Sequence, residues 1–212
     1  MQNARMRHDV TLEGFGVRLE PLARRHVPDL FALVDAGIWA GMTSPVPDAV
    51  EVMGAVVEAA VDRPGTVAFA VVDAGTGEVR GSTSFYDLVP EQGRVEVGFT
   101  YYGRRFWGGR TNPACKMLLF RHAFEEWGLY RVALRCDSRN ARSAAAIQRL
   151  GAVPEGVLRG HRVAADGSRG DTAYFSVLAP EWPEVRRKLV ERLGASSPGA
   201  AGGGRDAGPS EP

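Results

Sequence analysis

The sequence predicts a mixed α/β domain of about seven strands. Three observations carry this reading. Segments of strand period and helix period alternate along the chain. Three strand-like segments follow one another between Thr66 and Tyr102 with only short turns between them, as an antiparallel meander does. A glycine-rich loop then joins the last of these strands to a long apolar helix.

Taken in order, residues 1–9 are polar and expected to be frayed. Val17-Arg18-Leu19-Glu20 alternates as a half-buried strand, ended by Pro21. Val27, Leu30, Phe31 and Val34 fall at helical spacing, giving a first helix that stops near Gly37. Ile38 to Pro47 has neither period and reads as a loop, in which Trp39 and Met42 either line a pocket or plug the core edge. Asp48 is expected to cap a second helix running to about Asp62. Strands follow at Thr66–Val72, Val79–Leu88 and Arg94–Tyr102. After the glycine loop come a helix from Pro113 to Trp127, a strand from Tyr130 to Cys136 and a short helix capped by Asn140. Two strands, Gly156–Val163 and Asp171–Leu178, precede a last helix, Trp182–Leu193. From Gly194 to Pro212 Ser, Pro, Gly and Ala dominate, which reads as a disordered tail.

The stretch Gly103 to Lys116 reads G-R-R-F-W-G-G-R-T-N-P-A-C-K. Gly108 and Gly109 permit close backbone approach and left-handed conformations, so successive N–H groups can converge on an anion. Asn112-Pro113 reads as a cap followed by a first helical residue, which would turn the helix's unpaired amides, with those of Thr111 and Asn112, toward the same point. Arg104, Arg105 and Arg110 add formal charge. The competing reading is a plain turn with solvated arginines.

Composition narrows the classes. The chain has 212 residues and a net charge of +1, with 26 Lys and Arg balanced by 25 Asp and Glu, which argues against a nucleic-acid binder. Two cysteines, Cys115 and Cys136, without His or Cys at metal spacing, predict a reduced cytoplasmic protein with inert thiols and no metal. No apolar run approaches 18 residues and no export signal is visible, so no membrane partner is expected. There is no G-x-S-x-G elbow and no ordered Ser, His and acid set for a hydrolase.

Four passages together resemble one superfamily: R-V-E-V-G-F at 94–99, R-R-F-W-G-G-R-T-N with K at 104–116, D-S-R-N-A-R-S-A-A-A-I-Q-R-L-G-A at 137–152, and D-G-S-R-G-D-T-A-Y-F-S-V-L with E-W-P at 166–183. The chain is similar to GNAT-type acyl-CoA-dependent N-acyltransferases, in the branch containing the ribosomal-protein N-terminal acetyltransferases. The resemblance covers Val17 to Pro183 within an expected domain of 10–193. It implies a mixed, mostly antiparallel central sheet with helices on both faces and with strands four and five splayed apart. It implies acetyl-CoA as cosubstrate, with the pantetheine arm lying as an added strand along the backbone of Phe99 and Thr100. The pyrophosphate signature falls on Arg105, Gly108 and Arg110. Arg110 stands where the family has Gly or Ala, and Gly109 is expected to supply the lost backbone freedom. Asn140 and Ser143 would face the thioester end, although Asn140 is also an N-cap.

The reaction implied is direct transfer of the acyl group to an amine, whose proton a base must take, since amines titrate at about 8 to 10.4. Glu96, mid-strand, is the candidate base. Its alternative is a structural pair with Arg94 or Arg135. A strand amide freed by a bulge would hold the oxyanion, and Ser143 would serve the departing thiolate. His161 is either a further ionisable group near the site or a structural strand residue. The acceptor is a protein or peptide N-terminus or a small-molecule amine, and a homodimer is left open. A non-catalytic acyl-CoA sensor or scaffold, and an enzyme using another acyl-CoA such as succinyl-CoA, remain alternatives.

Overall fold

The computed structural model describes residues 8–165 and 167–195. The segments expected to be frayed or disordered, 1–9 and 194–212, lie outside the described residues except at their inner edges. There His8 Nε2 bonds the Ala68 carbonyl at 2.8 Å, and Gly194 and Ala195 belong to the last helix.

Eight strands form one sheet in the order β1-β2-β3-β4-β5-β6-β8-β7. They are β1 Leu12–Gly14, β2 Val17–Pro21, β3 Val67–Asp73, β4 Val79–Val89, β5 Arg94–Tyr102, β6 Arg131–Asp137, β7 Val153–Val163 and β8 Arg169–Leu178. Every neighbouring pair is antiparallel except β5 and β6. The strand beyond the expected seven is β1, a three-residue piece joined to β2 through Phe15 and Gly16. Both turn residues are left-handed, with φ 54° and 79°, as a two-residue hairpin of type I′ requires. Phe15 is a poor residue for that conformation on its own. Its ring packs against the core, and this tertiary contact favours the turn.

Helices cover both faces of the sheet. The period-2 alternation of β3 shows the division: Phe69 and Val71 join the core under α4 (Thr111–Arg121), α5 (Ala141–Gln148) and α6 (Trp182–Ala195). Ala68, Ala70 and Val72 point the other way, toward α1 (Val27–Leu33), α2 (Ala36–Trp39) and α3 (Val50–Val61). The segment read as a loop from Ile38 thus holds the end of α2, whose Trp39 is buried against Tyr101 with ring centroids 5.1 Å apart.

Two helix starts differ from expectation. Helix α3 begins at Val50 behind Ala49 with no side-chain cap, so Asp48 does not cap it. Helix α4 begins at Thr111, with Arg110 at the cap position and the first helical bond running from Ala114 N–H to the Arg110 carbonyl at 2.9 Å. Asn112 is therefore inside the first turn, where its Oδ1 accepts from the Tyr102 hydroxyl at 3.3 Å. Proline is compatible with this shift because all of the first four helical N–H groups lack intrahelical acceptors, so Pro113 does not fix the register by itself. The same helix widens into a π turn over His122–Glu126.

A polar cluster at the end of β2 makes the fold acid-sensitive. Glu20 accepts from His26 Nε2 at 2.9 Å, Arg25 Nη2 at 3.1 Å and Arg18 Nε at 3.0 Å, while His26 Nδ1 accepts from the Ala23 N–H at 3.1 Å. Burial alone would raise the Glu20 pKa, but the hydrogen bonds outweigh it and hold the carboxyl at about 2. Burial lowers His26, which is bonded as the neutral ring. A carboxyl lowered in the folded state stabilises the fold fully above its unfolded pKa of 4.5, and the gain disappears as pH falls through about 2. A histidine lowered in the folded state adds to the loss below about pH 6.5, because the unfolded chain takes the proton more readily. Urea unfolding at pH 7 and pH 3 should therefore show Glu20→Gln losing less stability with acid than the unmodified chain, by on the order of 2 kcal/mol. Equal acid sensitivity in the two proteins would remove Glu20 as its source.

Candidate active site

The parallel pairing of β5 with β6 extends only from Arg94, Val95 and Glu96 to Arg131, Val132 and Ala133. Beyond it the strands separate, as expected, and a cavity of about 670 Å³ opens between Val97–Tyr102 and Leu134–Asp137. On the β4 side, Ser82 pairs with Tyr101 and Ser84 with Gly98, so Thr83 alone stands opposite both Phe99 and Thr100. This is a β-bulge, and Phe99 occupies the left-handed region at φ 48°. The Phe99 ring is held by Tyr86, edge-on at 4.9 Å, and by the Arg63 guanidinium at 4.6 Å. Gly98 makes room for this arrangement, since a Cβ there would stand 2.8 Å from Tyr86 Cε1.

The loop from β5 into α4 makes a 3₁₀ turn over Arg104–Phe106 and then turns at Gly108, φ 72°. The left-handed residue is Gly108 and not Gly109, which corrects the expectation that Gly109 supplies the permissive position. Arg110 sits at φ −80°, which any side chain tolerates. A Cβ at Gly108 would meet nothing within 4 Å, so the loop is open on that side.

Of the expected site residues, Phe99, Thr100, Gly108, Gly109, Asn112, Asn140 and Ser143 all line the cavity. Asn140 also caps α5, accepting the Ser143 N–H at 3.0 Å, so the N-cap reading holds for a residue that lines the cavity. Ser143 lies beside the Cys136 thiol, whose pKa burial pushes up. Four expected residues do not line this cavity. Arg105 pairs with Glu78 on the surface. Arg110 borders a second cavity of about 330 Å³ with Gly108, Gly109, Pro113, Arg192 and Leu193. Thr111 is buried and accepts from Arg80 Nη1 at 3.2 Å. Glu96 is 7% exposed behind the wall, with Oε2 3.3 Å from Arg135 Nε. Tyr86, opposite Glu96 across β4 and β5, does line the cavity. Burial first, and then the charge of Glu96, push the pKa of the Tyr86 phenol well above its ordinary value and keep it protonated. Arg135 donates to Tyr86 Oη at 3.0 Å and to Tyr174 Oη at 2.7 Å.

Several lining residues are not among those expected at the site, although Arg135 is a candidate partner of Glu96. Arg63, Arg135, Arg142, Arg149, Arg162 and Arg192 come from six different elements or loops, and together with Lys116 they share the cavity wall with a single acid, Asp137. Arg142 lies 3.7 Å over the Trp107 ring, joining α5 to the glycine loop across the mouth. Arg162 donates to the Gly41 carbonyl at 2.9 Å, tying β7 to the segment after α2. His161, expected near the site, lines the cavity and bonds Thr172 through Nδ1 at 3.2 Å. Cys115 is buried in the core, its thiol pushed up to about 11 by burial, and Cys136 contributes to the cavity wall.

Residues 17–153 match the acetyltransferase (GNAT) domain family. The chain belongs to the GNAT family. A relative from Bacillus subtilis (strain 168) carrying the name "Putative ribosomal N-acetyltransferase YdaF" is 33% identical over 107 residues, which are 50% of this chain and 57% of that protein. The match thus spans just over half of that relative's length. Among solved structures, a "putative acetyltransferase" from T. thermophilus is 40% identical, covers 86% of this chain and 96% of its own, and superposes with a TM-score of 0.81. Mycobacterium smegmatis RimJ, solved in complex with CoA-disulfide, shares the GNAT fold at TM-score 0.74 and 18% identity, covering 87% of this chain and 95% of its own. GNAT proteins use acyl-CoA, and the splayed strands, the bulge and the glycine loop of this GNAT chain all border one cavity. Among the described residues no helix is long and apolar enough to cross a membrane.

Proposed function

We propose that the chain is an N-acetyltransferase moving an acetyl group from acetyl-CoA to a primary amine. The observation that carries this is the arginine-rich cavity bounded on one side by a bulged strand and on another by the Asn140–Ser143 helix start. The residues fit the coenzyme. Its phosphates suit a wall with six arginines and one acid, a volume of about 670 Å³ falls within the range of small-molecule sites, and an extended amide-bearing arm can pair with the backbone that β5 leaves unpaired. Bound there, the coenzyme supplies an activated acyl group as a thioester.

The chain's own residues do the rest. The bulge at Phe99–Thr100 leaves strand amides without a β4 partner and offers them to the carbonyl oxygen, where negative charge grows during attack. The amine must lose a proton as its nitrogen bonds the acyl carbon. Tyr86 takes that proton at Oη while passing its own to Glu96, so a carboxylate behind the wall acts through the phenol in front of it. Ser143 hydrogen-bonds the sulfur as the carbon–sulfur bond breaks. One relative's name, a putative ribosomal N-acetyltransferase, favours a protein acceptor, with a small-molecule amine as the other class.

Calorimetry and thermal melting with acetyl-CoA, followed by a panel of peptides and small amines read by thiol release and product mass, test this reading. At about 100 times the dissociation constant the coenzyme should stabilise by roughly 2.7 kcal/mol, a melting shift of about 5–10 °C for a chain of this size. No shift and no heat with millimolar coenzyme would exclude the site. Binding without thiol release across the panel would exclude the activity.

A further inference from the structure

Lys116 is a lysine in an unusual position. It is 4% exposed, follows the apolar Ala114 and Cys115 in α4, and still forms part of the cavity wall. Its Nζ donates to Thr100 Oγ1 at 2.8 Å and to Thr83 Oγ1 at 3.1 Å, and those two hydroxyls bond each other at 2.7 Å. An ammonium has three donors, so one N–H remains beyond these two acceptors. Among the described residues no carboxylate pairs with it. The titratable groups around it supply no negative charge: Cys115 on the same helix and Tyr102 on β5 are both held neutral by burial, and Arg80 on β4 is a cation paired with Asp73.

An unpaired buried cation is costly, and burial lowers the Lys116 pKa to about 8. The position of its partners suggests what anion it serves. Thr100 is a bulge residue and Thr83 is the residue opposite the bulge, so Nζ is one hydroxyl away from the backbone assigned above to the acyl carbonyl.

We propose that Lys116 is a further catalytic residue, whose remaining N–H faces the thioester end of the acyl-CoA arm and holds the negative charge on sulfur as the thiolate departs. This rests on the coenzyme occupying the cavity as proposed above. The nitrogen–acyl bond forms, the carbon–sulfur bond breaks with its electron pair on sulfur, and the ammonium keeps its proton while stabilising that pair. Ser143 approaches the same sulfur from the α5 side.

Coenzyme A alone provides the test, since its free thiol is the product group in question. Its thiol is titrated by the ultraviolet absorbance of the thiolate, free and bound to the unmodified chain or to Lys116→Met, with binding followed by calorimetry. Methionine matches the length of lysine, and Thr83 and Thr100 keep each other as partners, so the variant should melt at or above the unmodified chain. The midpoint of the thiol bound to the unmodified chain should fall about 1–3 pH units below that of free coenzyme A, and the fall should be absent in Lys116→Met. With an amine from the panel, the variant should lose more in kcat than it changes KM for acetyl-CoA. If coenzyme A binds both proteins and its thiol titrates alike in each, Lys116 has no such role while the proposed function stands. If it does not bind the unmodified chain, both readings fall. Should Lys116→Met not fold, an unshifted midpoint in the unmodified chain alone overturns the proposal. So does acylated Lys116 found by mass after incubation with acetyl-CoA, which would make it an acceptor.

Discussion

Glu96→Gln is expected to lower turnover by about 10²–10⁴-fold while leaving coenzyme affinity nearly unchanged, because it removes the final proton acceptor but nothing that lines the cavity. The loss should shrink as pH rises, since a growing share of the amine is then already neutral. Tyr86→Phe should lose a similar factor, for the phenol stands between the carboxylate and the cavity. If the two residues form one path, the double variant is no slower than the worse single one, whereas independent roles would multiply. A pH–rate series on the three proteins decides. Multiplicative losses would separate Tyr86 from Glu96, and an unchanged rate and pH profile in Glu96→Gln would take the carboxylate out of the reaction.

What the sequence made legible was what local chemistry dictates. Asn140 caps α5 because an Asn three residues before Ser143 can accept its N–H, and that needs no knowledge of the rest of the fold. The glycine loop, the splay and the bulge were readable through the resemblance, because the family's fold fixes all three together. What failed to show was decided by tertiary contact. Phe15 in a left-handed turn is stabilised by the core beneath it. Pro113 is tolerated at more than one place in the first turn, so it left the start of α4 uncertain by two residues. Nothing local marked Arg142, Arg149 and Arg192, which line one cavity only because the fold brings their elements together. Lys116 had only its presence in the motif, with nothing local to mark it as buried. The partner of Glu96 was open between Arg94 and Arg135. Arg94 is two residues away on the same strand, yet it pairs with Asp87 at 2.5 Å. Arg135 faces Glu96 because β6 runs parallel to β5 with Ala133 opposite Glu96, which places Arg135 on the same face two residues on.

That pairing carries the second large expectation. Arg135→Met should destabilise the chain by about 2–3 kcal/mol, because it leaves the Glu96 carboxylate buried without its cation. The figure is set toward the low end for a buried pair, since the Glu96 side chain is 10% exposed but that of Arg135 is 34% exposed and partly screened. For a chain of this length the melting temperature should drop by about 5–10 °C. Part of the cost belongs to Tyr86 and Tyr174, which lose the guanidinium donors, and that part does not depend on Glu96. The same substitution in a Glu96→Gln background isolates the charge: with a neutral amide in place, Arg135→Met should cost clearly less, and the difference is the coupling between the two side chains. A coupling near zero would mean that the buried carboxylate does not depend on Arg135. A coupling as large as the whole cost would mean that the bonds to Tyr86 and Tyr174 add nothing beyond the ion pair.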